Sequence, residues 1–137
     1  MKALIVDDAS TTRFVIKRVL TQRYGCEVDE AVNGVAAMEA LAREVYDLVL
    51  LDLVMPEMDG LATLQAIRQK PGLANLPVVV MTADRDEAMV RKVIVFGVAD
   101  YLIKPFNAND IIERLERIVR GIERKAAGAL GVPYAPK

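Results

Sequence analysis

The feature that most limits the fold of this chain is a regular alternation of short apolar segments with longer amphipathic ones, repeated five times. The short segments have the length and aliphatic content of strands, and the longer ones place apolar residues at helical spacing. Strict alternation of this kind predicts a parallel sheet with helices on both faces, which is a doubly wound α/β fold. The predicted strands cover residues 3–6, 27–31, 48–52, 77–82 and 100–103, with the second at a sheet edge.

Polar residues and glycines mark the ends of the five predicted helices. Ser10 predicts the N-cap of the first helix, and Gly25 predicts its end. The apolar face of this helix is predicted to contain Phe14, Val15, Val19 and Leu20. The other helices are predicted over 35–43, from Leu61 to the breaker at 70–72, over 86–96, and from a capping box of Asn107 and Asp110 onward. We assign residues 1–122 to one domain and the Ala-, Gly- and Pro-rich residues 123–137 to a flexible tail or the start of a linker.

Composition narrows the possible functions. The chain contains no histidine, which excludes a histidine base, a histidine metal ligand and a phosphohistidine within it. A net charge of −1 argues against direct nucleic-acid binding, and no apolar run reaches membrane-spanning length. Cys26 is the single cysteine, so no internal disulfide can form, and we expect a cytoplasmic location.

Reactive side chains follow four of the predicted strands, at the point where each strand ends. Asp7 and Asp8 follow the first strand, Asp52 ends the third, Thr82 ends the fourth and Lys104 follows the fifth. The carboxyl ends of parallel strands lie along one edge of the sheet, where open α/β sheets bind their ligands. We therefore expect these five side chains to converge.

The predicted cluster has the chemistry of a phosphoryl acceptor. Three carboxylates repel one another unless one is protonated or a cation lies among them, and an all-oxygen ligand set favours Mg²⁺ or a similar hard cation such as Mn²⁺. A carboxylate can accept a phosphoryl group to form an acyl phosphate. We predict Asp52 as the nucleophile, Asp7 and Asp8 as metal-holding residues, and Lys104 and Thr82 as contacts to phosphoryl oxygens.

Four sequence pieces, each at a predicted strand end, resemble the receiver domain of two-component response regulators. They are Val6-Asp7-Asp8, Asp52 with the segment 55–60 (Met-Pro-Glu-Met-Asp-Gly), Thr82-Ala83, and the segment 101–106 (Tyr-Leu-Ile-Lys-Pro-Phe). The resemblance extends over residues 2–122. It implies a flavodoxin-like fold of the chemotaxis type, with five helices and the strand order 2-1-3-4-5.

The resemblance also implies a role for each matched residue. It makes Asp52 the phosphoacceptor, with Asp8 and Asp52 as direct magnesium ligands, Asp7 as a ligand through water, and the backbone carbonyl of Val54 as a further ligand. Thr82 and Lys104 resemble the pair that senses the phosphoryl group, and Tyr101 resembles the switch aromatic. Lys104-Pro105 resembles the family's cis peptide bond.

Two further expectations concern signal lifetime and output. Val54 and Asp84 lie two residues beyond Asp52 and Thr82, and we predict that they tune how long the phosphoryl group persists. The predicted output face is formed by the fourth helix, the fifth strand and the fifth helix, with Val95 facing solvent near Tyr101. A downstream protein or a second copy of the chain is expected to bind there, and a histidine kinase or histidine phosphotransfer protein is expected to donate the phosphoryl group.

Several alternatives share parts of this pattern. A flavodoxin-like cofactor binder would need a Ser-, Thr- or Gly-rich phosphate loop after the first strand, where this chain is acidic. A haloacid dehalogenase-type phosphatase would need an Asp-x-Asp pattern, but Asp8 and Ala9 follow Asp7. A phosphorylation-independent interaction module, or a receiver belonging to a longer regulator, remains as an alternative. Apart from self-catalysed phosphoryl transfer and dephosphorylation, we expect no enzymatic activity.

Overall fold

The computed structural model of this chain describes residues 1–55, 59–83 and 87–136. Its strands form one five-stranded parallel sheet in the order β2-β1-β3-β4-β5, so the predicted fold and strand order are confirmed. The chain winds outward from β1 to β2 and then returns past β1 to β3, which creates a switch point between β1 and β3. The strands are β1 (Lys2–Val6), β2 (Glu27–Ala31), β3 (Leu48–Asp52), β4 (Val78–Thr82) and β5 (Asp100–Ile103).

Five helices cover the two faces of the sheet: α1 (Ser10–Tyr24), α2 (Gly34–Arg43), α3 (Gly60–Gln69), α4 (Glu87–Ile94) and α5 (Ala108–Leu130). Alternate residues of each strand enter two separate apolar cores, because successive side chains point to opposite faces. Leu48 and Leu50 of β3 pack with α1 and α5, and Val49 and Leu51 pack with α2 and α3. β3 is buried along its whole length, which explains its uninterrupted apolar sequence.

The start of α1 differs from the prediction. The N-cap residue is Ala9 and makes no side-chain capping bond, while Ser10 is the first residue of the helix. The turn out of β1 begins at Asp7, whose carboxylate accepts a hydrogen bond from the Ala9 N–H at 2.8 Å. The chain therefore enters the helix before Ser10 reaches a capping position.

Phe14 was expected in the core, but its side chain is 64% exposed. The buried stripe of α1 consists of Ile16, Val19, Leu20 and Tyr24. Phe14 lies two positions before Ile16, and at about 100° per residue this places it on the opposite side of the helix. The spacing of Phe14, Val15 and Val19 fits a helix, but the buried stripe is centred on a different side of α1 from Phe14.

Other boundaries differ from their predicted positions by one or two residues. β4 begins at Val78 rather than at Pro77, and it ends at Thr82 as predicted. The α4 helix ends at Ile94, because the Phe96 and Gly97 N–H groups bond to carbonyls three residues back and tighten the chain into a turn. Asp86, the predicted first residue of this helix, lies outside the described residues.

Arg68, near the end of α3, joins the loops on either side of β4. Its guanidinium donates four hydrogen bonds to backbone carbonyls, and within the described residues it has no carboxylate partner. Burial lowers the pKa of this side chain. The group therefore serves as a clamp between the α3–β4 and α4–β5 loops. Its acceptors are Phe96 at 2.6 Å, Leu76 at 2.8 Å, Gly97 at 3.1 Å and Leu73 at 3.2 Å.

The last helix starts as predicted and extends further than predicted. Asn107 and Asp110 form the capping box, and the helix continues through Leu130 to a left-handed cap at Gly131. Residues 123–130 are thus helical, so the helix crosses the predicted domain boundary, which itself remains a prediction. Arg120 contributes to this continuity through ion pairs with Glu116 and Glu123. None of the helices in the described ranges combines the length and the hydropathy needed to cross a membrane.

Candidate functional site

Three carboxylates meet at the carboxyl edge of the sheet. β1 lies beside β3, so Asp7, which follows β1, comes close to Asp52 at the end of β3. One carboxylate oxygen from each of Asp7, Asp8 and Asp52 can be chosen so that all three lie within 4.8 Å of one another. The structure therefore brings together the predicted acidic residues, at the switch point where open α/β sheets bind ligands.

Lys104 lies within hydrogen-bonding distance of two of these carboxylates. Its Nζ is 2.8 Å from Asp7 Oδ2 and 3.3 Å from Asp52 Oδ2. Asp7 is fully buried and Asp52 is 3% exposed, whereas Asp8 is exposed to solvent. One ammonium group thus serves two buried carboxylates, which leaves an excess of negative charge in the pocket.

The pKa values at the site reflect this imbalance. Burial is the main cause that raises the pKa of Asp52, and the negative charge of Asp7 adds to it. A hydrogen bond from the Val54 N–H at 3.1 Å and the charge of Lys104 act in the opposite direction without cancelling the rise. Burial alone would lower the pKa of Lys104, but its hydrogen bond to Asp7 and the charge of Asp52 raise it. Lys104 therefore stays protonated, while Asp52 lacks full compensation for its charge.

The donor set fits a hard divalent cation. All three clustered side chains offer carboxylate oxygens, and no sulfur or imidazole is among them. An additional positive charge would relieve the repulsion between Asp7 and Asp52 that Lys104 leaves uncompensated. The residues present are thus suited to Mg²⁺ or Mn²⁺ on chemical grounds.

Gly60 makes room for the backbone of Asp52. A Cβ atom at position 60 would lie 2.2 Å from the Asp52 carbonyl oxygen and 2.3 Å from Leu53 Cα. The Gly60 N–H also donates to the Leu53 carbonyl at 3.1 Å. Only glycine allows the start of α3 to pack this closely behind the Asp52 strand end. Residues 56–58, the central part of the matched segment 55–60, lie outside the described residues.

Thr82 and Lys104 are joined through the backbone. The Lys104 N–H donates to the Thr82 carbonyl at 2.8 Å, which continues the β4–β5 ladder beyond the strands. The peptide bond between Lys104 and Pro105 is cis. Thr82 is 4% exposed, so its side chain lies inside the domain rather than at the surface.

A small enclosed cavity connects Thr82 with Tyr101. Its volume is about 20 Å³ and its walls are mostly apolar. Tyr101 lies at its boundary with its side chain 38% exposed, and a cavity of this size cannot accept a phenol ring without movement of the wall. The residues that surround it are Leu53, Val80, Thr82, Met89, Val93, Ile94, Val98, Tyr101 and Ile103.

Three residues with predicted roles in signal lifetime or output remain: Val54, Val95 and Asp84. The Val54 side chain is 68% exposed, next to Asp52 in sequence and open to solvent. Val95 is 80% exposed, as predicted. Asp84 lies outside the described residues, so its predicted role in signal lifetime has no structural account.

Arg13 is a contact to the site that the sequence interpretation did not include. Its Nη1 donates to the Asp7 backbone carbonyl at 2.7 Å, and its Nε donates to Glu30 Oε1 at 2.9 Å. The only signal in the sequence was an arginine six residues after Asp7 on a predicted helix. Nothing in the periodicity distinguishes such an arginine from a solvated one.

Fold and site together define a flavodoxin-like α/β domain with an acidic, oxygen-rich pocket at its topological switch point. Comparison with known proteins identifies the family. The sequence profile of the response regulator receiver domain matches residues 3–116, and the chain belongs to this family. Receiver domains are signalling modules of two-component and chemotaxis systems, and the family binds a divalent metal.

Individual relatives agree with this assignment. The chain is 36% identical to the chemotaxis protein CheY-3 of Vibrio cholerae over 118 residues, which covers 86% of this chain and 91% of the relative. It is also 36% identical to the chemotaxis protein CheY of Bacillus subtilis over 116 residues, covering 85% and 95%. The solved structure of the chemotaxis response regulator CheY4 of Vibrio cholerae matches with a TM-score of 0.79 at 27% identity, over 85% of this chain and 97% of that one.

Proposed function

We propose that this chain is a phosphorylation-activated receiver in which Asp52 accepts a phosphoryl group from a histidine kinase or a histidine phosphotransfer protein. The observation that carries the proposal is the convergence of Asp7, Asp8 and Asp52 within 4.8 Å, with Lys104 Nζ 3.3 Å from Asp52. A carboxylate at the switch point, flanked by metal-holding carboxylates and one cation, has the groups that phosphoryl transfer to an aspartate requires.

In the proposed reaction, an Asp52 carboxylate oxygen attacks phosphorus of a phosphohistidine. The new O–P bond forms while the N–P bond breaks, and the released imidazole nitrogen takes up a proton. Lys104 is placed to meet the charge on a phosphoryl oxygen, since its ammonium already contacts Asp52. Hydrolysis of the acyl phosphate by water would return the Asp52 carboxylate and end the signal.

The metal would be held by Asp7, Asp8, Asp52 and the Val54 backbone carbonyl, with Asp7 acting through water. When bound, a divalent cation supplies positive charge that offsets the repulsion between the carboxylates and the incoming phosphoryl group. The chain's own residues do the remaining work. Asp52 provides the nucleophile, and Lys104 and Thr82 provide a cation and a hydroxyl for phosphoryl oxygens.

The test is intact-mass spectrometry after incubation with Mg²⁺ and acetyl phosphate. We expect wild type to gain one phosphoryl group, labile in base, and Asp52→Asn to gain none. Asp59→Asn is the matched control, because Asp59 is exposed and its side chain caps α3 through the Ala62 N–H. Wild type that gains no mass in Mg²⁺ would favour a phosphorylation-independent interaction module instead. An equal gain in excess chelator would overturn the proposed metal role.

For the output step, we propose that a phosphoryl group on Asp52 attracts the Thr82 hydroxyl and frees space for Tyr101 to turn inward. Support comes from the cavity between these residues and from the exposed apolar residues Ile94, which lines that cavity, and Val95, which follows Ile94 in the sequence. The proposed binding face comprises α4, β5 and α5, and its occupant is a downstream protein or a second copy of the chain. This is a population shift driven by new contacts to the phosphoryl oxygens.

Amide NMR shifts with and without beryllofluoride test this output step. We expect α4 and Tyr101 to respond in wild type and to respond weakly in Thr82→Ala. An equal response in both proteins would remove Thr82 from the relay.

For the lifetime of the phosphoryl group, we propose that Val54 shields the acyl phosphate and that Asp84 positions water. Unchanged dephosphorylation rates in Val54→Asn and Asp84→Ala would exclude both roles.

A further inference from the structure

Arg13 joins three elements at the rear of the acidic pocket. It lies in the first turns of α1, and its side chain is 15% exposed. One arm reaches the Asp7 carbonyl at 2.7 Å and the other reaches Glu30 of β2 at 2.9 Å. None of the steps proposed above uses this residue.

The two peptide units that flank Asp7 are held by different partners. The unit before it donates its N–H to the Ala31 carbonyl at 3.1 Å, as part of the sheet. The unit after it joins Asp7 to Asp8, and its carbonyl accepts from Arg13. The orientation of this second unit decides where the Asp8 side chain leaves the backbone.

Asp8 depends on that backbone more than the other two carboxylates do. Asp7 is fixed by the Ala9 N–H and Lys104, and Asp52 is fixed by the Val54 N–H and Lys104. In the described part of the chain, the Asp8 carboxylate has no hydrogen bond or ion pair. Its place in the cluster is therefore set by the peptide unit that Arg13 holds.

We infer that Arg13 is a positioning residue for the metal loop: by fixing the Asp7–Asp8 peptide unit against Glu30, it places the Asp8 carboxylate for a divalent cation. The inference rests on the proposed metal-dependent function. Arginine suits the role because its planar fork donates two bonds in fixed directions, which the single ammonium of a lysine does not reproduce.

A purely electrostatic role makes a different prediction. If Arg13 acted only through its charge, it would attract the carboxylates of the pocket from any point of attachment. Lysine would then replace arginine without loss of metal affinity. Lys17 supplies the internal control, because its Nζ also faces Glu30, at 3.6 Å, and no described contact joins it to Asp7. Removing Lys17 removes the same charge from the same neighbour and leaves the Asp7 carbonyl bond intact.

The experiment titrates Mg²⁺ into wild type, Arg13→Met, Arg13→Lys, Glu30→Gln and Lys17→Met, following the amide NMR signals of Asp8 and Ala9. We expect the dissociation constant to rise about tenfold in Arg13→Met, which is the size of effect that outer partners of metal ligands have. Arg13→Lys and Glu30→Gln should weaken binding by about threefold or more, and Lys17→Met should change it by less than about twofold.

Hydrogen exchange in excess chelator provides a readout without metal. The Ala9 amide should exchange about tenfold faster in Arg13→Met, because the Asp7 residue that accepts its hydrogen bond is no longer held by Arg13. The amides of β1 should stay protected. Should Arg13→Met fail to fold, Arg13→Lys and Glu30→Gln carry the same comparison. Wild-type affinity in these variants, or equal weakening in Lys17→Met, overturns the positioning role and leaves the proposed function standing. Wild type that binds no Mg²⁺ overturns both.

Discussion

Replacing Asp52 with asparagine should stabilise the metal-free protein. Asparagine is close to isosteric with aspartate, and its Oδ1 can still accept the Val54 N–H. The substitution removes a buried negative charge beside Asp7 while Lys104 keeps its closer contact to Asp7 at 2.8 Å. The residue that we propose as the phosphoacceptor would thus lower the stability of the domain that carries it.

The sizes of the opposing interactions can be worked from the distances. Asp7 and Asp52 have carboxylate oxygens within 4.8 Å of each other, so at an effective dielectric constant of about 20 they repel by about 3.5 kcal/mol or more. The attraction between Asp52 and Lys104 at 3.3 Å is about 5 kcal/mol by the same rule, and burial of the Asp52 carboxylate opposes it. Because the pKa of Asp52 is raised above its ordinary value, the folded state favours the neutral carboxyl more than the unfolded chain does. We therefore expect Asp52→Asn to raise the free energy of unfolding at pH 7, within the range of about 0.5 to 2 kcal/mol that stabilising substitutions commonly give.

The gain should depend on pH in a defined direction. Since the folded-state pKa of Asp52 lies above its ordinary value of 3.8, the folded protein holds this proton more tightly than the unfolded chain does. Its stabilising effect is present at low pH and is lost as the pH rises through the folded-state pKa. The difference between Asp52→Asn and wild type should therefore close at and below pH 3.8 and be largest near neutrality.

Urea unfolding in excess chelator, at several pH values, measures this difference. Lys104→Met is the reciprocal variant, because it leaves Asp7 and Asp52 buried without their cation, and it should lose about 3 kcal/mol or more. Added Mg²⁺ should stabilise wild type in proportion to the logarithm of its concentration above the dissociation constant, and should stabilise Asp52→Asn less. A clear loss of stability in metal-free Asp52→Asn at pH 7 would refute the reasoning, since it would mean that Lys104 more than compensates the charge.

Three further predictions concern other parts of the molecule. Gly60→Ala should destabilise by about 2 kcal/mol or more in thermal unfolding and should shift the amide signals next to Asp52, because the new Cβ meets backbone that cannot move aside. Arg68→Met should cost about 2 to 4 kcal/mol in urea unfolding, because four carbonyls lose their charged donor, and a loss under 0.5 kcal/mol would show that water replaces the clamp. Burial and hydrogen bonds to carboxylates raise the pKa of Tyr24 and of Tyr46 to about 12, so each Phe variant should remove one transition near pH 12 from the tyrosinate absorbance.

The sheet could be predicted because its strands are buried. After Lys2, the sequences of β1, β3 and β4 are apolar up to a polar residue at the strand end or directly after it, so both the identity and the limits of these strands are visible in the sequence. The convergence of Asp7, Asp52 and Lys104 followed from the parallel arrangement. Their distances could not be predicted, because they depend on strand register and on the turns after each strand.

The sequence predictions were wrong where the position of a residue within its helix depends on tertiary contacts. Phe14 satisfies a helical spacing, yet which side of α1 faces the sheet is decided by the packing of Ile16 and Leu20. Ser10 is a good capping residue, but the turn at Asp7 starts the helix one residue too early for it. The contacts of Arg13 and Arg68 could not be predicted for a related reason. Their partners are mostly backbone carbonyls, which every residue has, so no sequence pattern identifies them.

The centre of the sheet and its β5 edge differ in how firmly they are packed, and this difference bears on how a signal could leave the site. Asp52 ends β3, which is buried throughout and paired with strands on both sides. β5 pairs only with β4 among the described strands, and of its residues only Leu102 is buried. Rearrangement is least costly where few buried contacts must break. We therefore expect a change at Asp52 to leave β1 and β3 in place and to appear at the β5 edge, where Tyr101 already lies partly exposed against a small cavity.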